Sequence, residues 1–310
     1  MCKAIRFPSV LLLSLVMIGC ASAPEVTNTP QPATATPLPA TSTPMPITFG
    51  KVDVGGYKLD LSCIGEGTPS IIFEHGLNSE RHSWASVING FGAPLPTRLC
   101  SYSRAGRGLS QPALVTPRTS LDMVHDLHAL LENAHIPGPY VLVGASMGGN
   151  NVIVYMQEYP EEVAGIILVD ATHPMVTERF LAVTPEQTPG EDSYITETRD
   201  YFENSFEKPD GNQEAMDLAL SFAQVDLDAF PDGFPLVVLS QSPSAMACDV
   251  PKEYCDALSQ VWQDLQANFA SRSSKSVHLQ SEHAGHDIAN EDPALVQEAI
   301  NQILQMLAEK

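Results

Sequence analysis

From about residue 50 onward the chain alternates two kinds of apolar pattern. Short apolar runs recur at Ser70 to Phe73, Arg98 to Tyr102, Tyr140 to Val143, Ala164 to Val169, Pro235 to Leu239 and Ser276 to Leu279. Runs of this length, bounded by turn residues, predict strands buried on both faces. Between them the apolar positions open out to helical spacing. Leu121, Val124, Leu127 and Leu131 share one face, and Val296, Ile300, Ile303 and Leu307 form a final stripe. Strands alternating with helices predict an α/β fold with a mostly parallel central sheet flanked by helices. Ahead of this pattern, Lys51 to Val54 and Tyr57 to Cys63 flank Gly55-Gly56, a hairpin signal, so the sheet is expected to open with an antiparallel pair.

Two stretches break the alternation. Pro174 to Asp232 lacks strong strand signals and carries fourteen Asp and Glu against Arg179, Arg199 and Lys208. A long irregular region inside a compact domain is usually functional, and Phe180-Leu181 with Leu218 to Phe222 supply apolar residues for docking. Residues 174–232 are therefore expected to form an inserted, mainly helical lid. The other break is N-terminal. Lys3 and Arg6 precede an apolar run, Val10 to Ile18, much shorter than the roughly 20 residues that span a bilayer, which reads as an export signal. It ends in Met17-Ile18-Gly19-Cys20, which resembles the lipobox of bacterial lipoproteins. That resemblance implies removal of residues 1–19 and lipidation of Cys20. Ordinary cleavage near Ala21 to Ala23, with Cys20 discarded, is the alternative.

Residues 21–48 hold seven Pro and seven Thr with one charged residue, Glu25, and cannot bury a core. Residues 20–48 are read as an extended Pro/Thr tether, rising about 3 Å per residue where it is polyproline-like. The folded domain is then 49–310, lipid-anchored outside the cytoplasm or, in the alternative, secreted. Composition agrees with one sizeable core: 44% of the 310 residues are hydrophobic. The formal charge of −21 leaves no phosphate-neutralising surface, so nucleic acid is excluded as a partner, and a membrane is expected only through the lipid anchor. Beyond Cys2 and Cys20, four cysteines remain, an even number for an oxidising compartment: Cys63, Cys100, Cys248 and Cys255. Three connectivities are open, and four buried thiols are a further outcome. Cys63 with Cys100 and Cys248 with Cys255 is the most economical set, joining two early strands and clipping one local loop.

Candidate chemistry centres on Gly144-Ala145-Ser146-Met147-Gly148, which follows the strand Tyr140 to Val143 and precedes a helical run from Asn151. This is a G-x-S-x-G elbow. The turn is too tight for bulky neighbours, and it pushes the serine out at the strand end toward a helix N-terminus. His125 and His128 lie three apart on one helix, a metal-compatible spacing, but no further ligand pairs with them, and no metal or organic cofactor is expected.

Several segments together resemble the α/β-hydrolase superfamily across nearly all of Lys51 to Lys310. Phe73-Glu74-His75-Gly76-Leu77 is similar to the strand-end His-Gly motif that begins the oxyanion loop. Tyr102 to Ser110 resembles the Y-D-R-x-G-x-G-x-S loop, with Ser103 in place of the usual Asp. Ala284-Gly285-His286, followed by Asp292-Pro293, is similar to the loop of the catalytic histidine. The resemblance implies Ser146 as nucleophile, His286 as base rather than its neighbour His283, and the amides of Met147 and Leu77 as the oxyanion hole. His75 reads as a loop residue, not a base.

The third member stays open between two carboxylates. Asp170 ends the strand after the elbow helix, a position some members use. Most place the acid after the next strand, where Val238-Leu239-Ser240-Gln241-Ser242-Pro243 offers none and Asp249 is the nearest alternative. Asp170 is preferred because a strand end holds a side chain more rigidly than a long loop. The expected activity is hydrolysis of a small-molecule carboxylic ester through an acyl-enzyme on Ser146. Acyl transfer, lactone opening, perhydrolysis and peptide cleavage use the same groups, and a non-catalytic binding module is the alternative from another class. The acidic lid adds an expectation that anionic substrates are disfavoured at the cleft mouth.

Overall fold

The protein is described by a computed structural model covering residues 47–246 and 250–309. The export signal, Cys20, the tether up to residue 46, Cys248 and Asp249 lie outside the described residues. Eight strands form one sheet: β1 Ile47–Asp53, β2 Lys58–Ile64, β3 Ser70–Glu74, β4 Leu99–Ser103, β5 Tyr140–Ala145, β6 Val163–Val169, β7 Leu236–Ser240 and β8 Ser276–Gln280. Their order is β1-β2-β4-β3-β5-β6-β7-β8. Only β2 runs against the others, pairing antiparallel with β1 and β4, so the sheet is mostly parallel.

The register puts Cys63 directly opposite Cys100, and the two form a disulfide with Cα atoms 4.1 Å apart, the close spacing of a non-hydrogen-bonded antiparallel pair. Cys255 is also disulfide-bonded.

Alternation along the strands divides the core into two layers. Ile72, Leu142, Ile166, Leu168 and Val238 pack on one side with helices α2 and α3 (Ser120–Asn133 and Gly148–Glu158), through Leu127, Leu131, Val152 and Tyr155. Ile71, Phe73, Val143, Ile167 and Leu239 pack on the other side with α1 (Ala85–Gly90) and the C-terminal helix α9 (Pro293–Ala308), through Val87, Val296, Ile300 and Ile303. Strands β3 to β7 are apolar on both sides because both faces are covered, but β8, at the edge of the sheet, is partly exposed and not buried on both faces as expected. The exposed His125 and the partly buried His128 project from α2, and His128 stacks on Tyr159 with ring centroids 3.9 Å apart.

Residues 174–232 run between β6 and β7 and carry the helices α4 Val176–Val183, α5 Ser193–Asp200 and α6 Leu218–Ala223, with short 3₁₀ and π turns between them. Their apolar residues make a third cluster. Val176, Phe180, Ile195, Leu218 and Phe222 meet Leu258, Val261 and Trp262 on α7 (Lys252–Ala270), and a short α8 (Ile288–Glu291) precedes α9. Among the described residues, no helix is long and apolar enough to cross a membrane.

Candidate active site

The loops that gather at the site leave the carboxyl ends of parallel strands. β3 is followed by His75 to Leu77, β5 by Ser146, β6 by Asp170, β7 by Gln241 and β8 by the loop to His286. The chain order reverses at β3, so the crevice opens beside β3 and β5, where parallel sheets collect ligands.

Ser146 sits in the left-handed region at φ 51°, which an ordinary L-residue adopts only under constraint. The constraint is visible. The Ser146 amide donates to Val169 O at 3.1 Å, and its carbonyl accepts from the amides of Gly149 and Thr172, both at 3.0 Å. A Cβ on Gly144 would lie 2.5 Å from Gly148 O, and one on Gly148 would lie 2.6 Å from Glu74 O, so neither elbow glycine can carry a side chain. Gly76 approaches closely as well, since a Cβ there would stand 3.3 Å from Ser146 Cβ. That contact sets the His75-Gly76-Leu77 turn against the serine. Among the described residues, the amides of Leu77 and Met147 donate no hydrogen bond, and so both remain available.

His286 Nδ1 donates to Asp170 Oδ2 at 2.6 Å. The other carboxylate oxygen, Asp170 Oδ1, accepts from the Gln241 amide at 2.9 Å and from Trp262 Nε1 at 2.8 Å. Asp170 is fully buried, while the His286 side chain is half exposed at 51%. Burial disfavours the charged imidazole, yet the hydrogen bond to Asp170 and the negative charges of Asp170, Asp287 and Glu291 outweigh it. They hold His286 above the ordinary histidine value. His283 takes no part in this pair; its Nε2 bonds to Glu291 O at 3.2 Å. The Ser146 hydroxyl shares a hydrogen bond with Thr172 Oγ1 at 3.3 Å.

His75 is a buried neutral group in the loop beside the serine. Its Nδ1–H donates to Gly76 O at 2.9 Å and its Nε2 accepts from the Arg104 amide at 3.1 Å. Burial, and then the charge of Arg104, push its pKa well below the usual value.

The cavity in front of Ser146 has a volume of about 970 Å³. Ser146, Thr172, Gln241 and His286 line its floor, and the insertion supplies an aromatic wall from Phe180, Tyr194, Tyr201, Phe202 and Phe206. Rings of the wall pack on one another, with Phe180 and Phe202 centroids 5.2 Å apart and Phe202 and Phe206 5.3 Å apart. Trp262 joins wall to floor, its ring standing edge-on to His286 at 5.5 Å. Of the lid's acidic residues only Glu197 lines the cavity. Five of the others are spent elsewhere: Glu191 on Arg199, Glu214 on Arg104, and Asp192, Asp217 and Asp226 on helix N-termini. The lid's negative charge thus faces away from the substrate space for the most part.

Sequence reading missed Trp262, Gln241 and Thr172. Gln241 occupies the strand-end position where a carboxylate was sought, and contributes its backbone amide, which no side-chain pattern can reveal. Trp262 is legible only as the one tryptophan on an amphipathic helix.

The chain is similar to known proteins in sequence and in fold. The chain is 33% identical over 129 residues to a probable transporter of Hormonema carpetanum, covering 39% of this chain and 18% of that one. It is 31% identical over 126 residues to an esterase of Mycobacterium tuberculosis, covering 40% of this chain and 39% of the esterase. Both matches therefore span less than half of those relatives. Among solved structures, a thermophilic esterase from Thermogutta terrifontis superposes with a TM-score of 0.56 at 22% identity, over 84% of this chain and 99% of that one, a likeness of fold. The alpha/beta hydrolase fold family itself matches residues 69–235, from the start of β3 through the elbow and Asp170 to the end of the lid. More than half the chain, including the turn that strains Ser146, follows that family's pattern, and the chain belongs to the α/β-hydrolase fold family.

Proposed function

We propose that this protein is a serine hydrolase that cleaves carboxylic esters through an acyl-enzyme on Ser146. The observation that carries the reading is the 2.6 Å contact from His286 Nδ1 to a fully buried Asp170, at the edge of a cavity that Ser146 also lines. With Nδ1 spent on the carboxylate, Nε2 is left as the basic nitrogen. When Ser146 turns from Thr172 toward it, Nε2 takes the hydroxyl proton as Oγ bonds to the ester carbon. Charge that builds on the carbonyl oxygen meets the free amides of Leu77 and Met147. The C–O bond to the alcohol then breaks as His286 returns the proton to the leaving oxygen. Water repeats the sequence on the acyl-enzyme, releasing acid and free serine. Asp170, held by Gln241 and Trp262, fixes the tautomer and stabilises the imidazolium.

The aromatic wall favours an apolar acyl or alcohol group, and among the described residues no lysine or arginine lines the cavity to pair with an anion. Labelling by a fluorophosphonate, with a screen of p-nitrophenyl esters of increasing chain length, tests the activity. Ser146→Ala and His286→Ala should each abolish turnover while the fold persists, and turnover retained in both would refute the assignment. We further propose that the protein works outside the cytoplasm on a lipidated Cys20, a reading that the Cys63–Cys100 disulfide supports. Cys20→Ser should then move the protein from the membrane to the soluble extracytoplasmic fraction, and unchanged membrane association would refute it.

A further inference from the structure

Leu77, which the proposed reaction uses for its amide, is bracketed by two peptide units that are both held by one carboxylate of the inserted lid. The unit before it is the Gly76–Leu77 peptide. Its carbonyl oxygen accepts from Arg104 Nη2 at 2.8 Å and from His75 Nδ1 at 2.9 Å. Arg104 is itself gripped by Glu214, with Nε to Oε2 at 2.6 Å and Nη2 to Oε1 at 2.7 Å. The unit after Leu77 is the Leu77–Asn78 peptide, and its N–H donates directly to Glu214 Oε1 at 2.6 Å.

A trans peptide is planar, with its C=O and N–H pointing in opposite directions. Two donors converging on Gly76 O therefore fix the direction in which the Leu77 N–H points. They also polarise the amide, which strengthens it as a donor. The second anchor, at Asn78, stops the chain from swivelling about Leu77. Gly76 lies against Ser146, so the amide held this way borders the position of the reacting carbonyl.

The energetics argue for orientation over bulk stability. The Arg104 and Glu214 side chains are 3% and 0% exposed, and Arg104 also bonds Glu74 Oε1 at 2.7 Å and His75 O at 2.6 Å. A buried ion pair loses to desolvation about what it gains in attraction, so apolar residues of similar volume would hold the lid equally well. What apolar residues cannot supply is directional bonding to the backbone on both sides of Leu77. Glu214 does not line the cavity, and so has no direct part in substrate contact.

We propose that Glu214 is a positioning residue that aims the Leu77 amide at the oxyanion, partly through Arg104 and partly through Asn78, so that lid docking and oxyanion geometry are set together. The proposal rests on the ester-hydrolase reading above. The test is Glu214→Gln in the full chain, with a p-nitrophenyl ester as substrate and a boronic acid as mimic of the tetrahedral oxyanion. Glutamine keeps the volume but loses the charge, and with its oxygen kept toward Asn78 and Arg104 Nη2 its NH2 group meets Arg104 Nε–H, donor against donor, so the grip on Arg104 is broken. The expected result is a 10- to 100-fold fall in kcat with KM within threefold of the parent, below the roughly 10²–10³ for complete loss of one oxyanion donor because the amide is misaimed and not removed. The inhibition constant of the boronic acid should rise by a similar factor, and the acidic limb of the pH–rate profile should not move, because the His286–Asp170 pair is untouched.

Gln213→Ala, which removes only the 2.7 Å contact to Arg107 Nη1 at the same junction, should stay within twofold of the parent. Where Glu214→Gln does not fold, Glu214→Asp replaces it, since it keeps the charge but is too short to reach both Arg104 and the Asn78 amide. Parent-like kcat and boronic acid inhibition in whichever variant folds would overturn the proposal, as would an equal loss in Gln213→Ala. Failure of the ester reading is distinct from these results, because it would show as turnover surviving Ser146→Ala.

Discussion

Replacing Trp262 with phenylalanine would delete one hydrogen bond to the buried carboxylate while keeping an aromatic ring beside His286. Asp170 has three donors, His286 Nδ1 at 2.6 Å, Trp262 Nε1 at 2.8 Å and the Gln241 amide at 2.9 Å, and no exposed surface through which water could replace a lost one. A hydrogen bond to a charged group contributes about 1.5–3 kcal/mol. Two donors remain, so only part of that difference reaches the transition state, and kcat/KM should fall roughly tenfold, about 1.4 kcal/mol. Asp170→Asn gives the scale at the other end. It removes the charge that stabilises the imidazolium and should lower kcat about 10⁴-fold. A second readout carries a sign. The carboxylate with one donor fewer attracts the His286 proton more strongly, and the base must be neutral to act. The acidic limb of the pH–rate profile, already above about 6.5 in the parent because His286 is raised, should move further up. The assay is kcat and kcat/KM for a neutral p-nitrophenyl ester from pH 5 to 9, with near-ultraviolet circular dichroism to establish folding. A folded Trp262→Phe within twofold of the parent, with an unmoved limb, would refute the idea that this indole organises the acid.

Burial pushes His173 down to about 4, with its Nε2 bonded to Asn268 Oδ1, so the unfolded chain takes up a proton that the folded one refuses. Stability should be lost as pH falls from about 6.5 toward 4, by about 3 kcal/mol from this residue, and His173→Gln should flatten the fall in urea midpoints across that window. The Cys63–Cys100 disulfide spans 37 residues, for which chain-entropy arguments give about 4 kcal/mol. Cys63→Ala/Cys100→Ala should show that loss in urea unfolding. Phe202→Ala/Phe206→Ala should raise KM for long-chain esters severalfold and leave acetate esters unchanged, and an unaltered chain-length profile would remove the aromatic wall from substrate selection. With only Glu197 of the lid acids on the cavity, a dicarboxylate monoester should lag its neutral match by a few-fold at most, and the gap should close with added salt.

The elements that the sequence specified are those whose signal is local. Each of the apolar runs from Ser70 to Leu279 forms a strand, and the five inner ones are apolar throughout because a segment buried on both faces must be, whereas Ser276–Gln280 is a partly exposed edge strand and not the buried one expected. The Gly55-Gly56 hairpin, the two helical stripes and the glycine spacing around Ser146 are likewise properties of a few consecutive residues. So is the candidate set Ser146, His286 and Asp170, since each stands at the end of a recognisable strand or in a short motif. Strand order was not written locally, and it is strand order that sets Cys63 against Cys100 and gathers five strand ends around one crevice.

The supporting contacts were still less legible. The donors to Asp170 come from a backbone amide at residue 241 and an indole at residue 262, and the anchor of the Leu77 loop comes from residue 214. These groups lie 71, 92 and 136 positions from the atoms they hold. Backbone donors carry no residue identity, and a buried glutamate inside an acidic segment looks like thirteen others until packing decides which one faces an arginine. The sequence therefore determined the chemistry that could be present, because reactive groups and tight turns demand particular residue types. Only the tertiary structure decided which of those groups were aimed, because aim is fixed by contacts whose partners are distant in the chain.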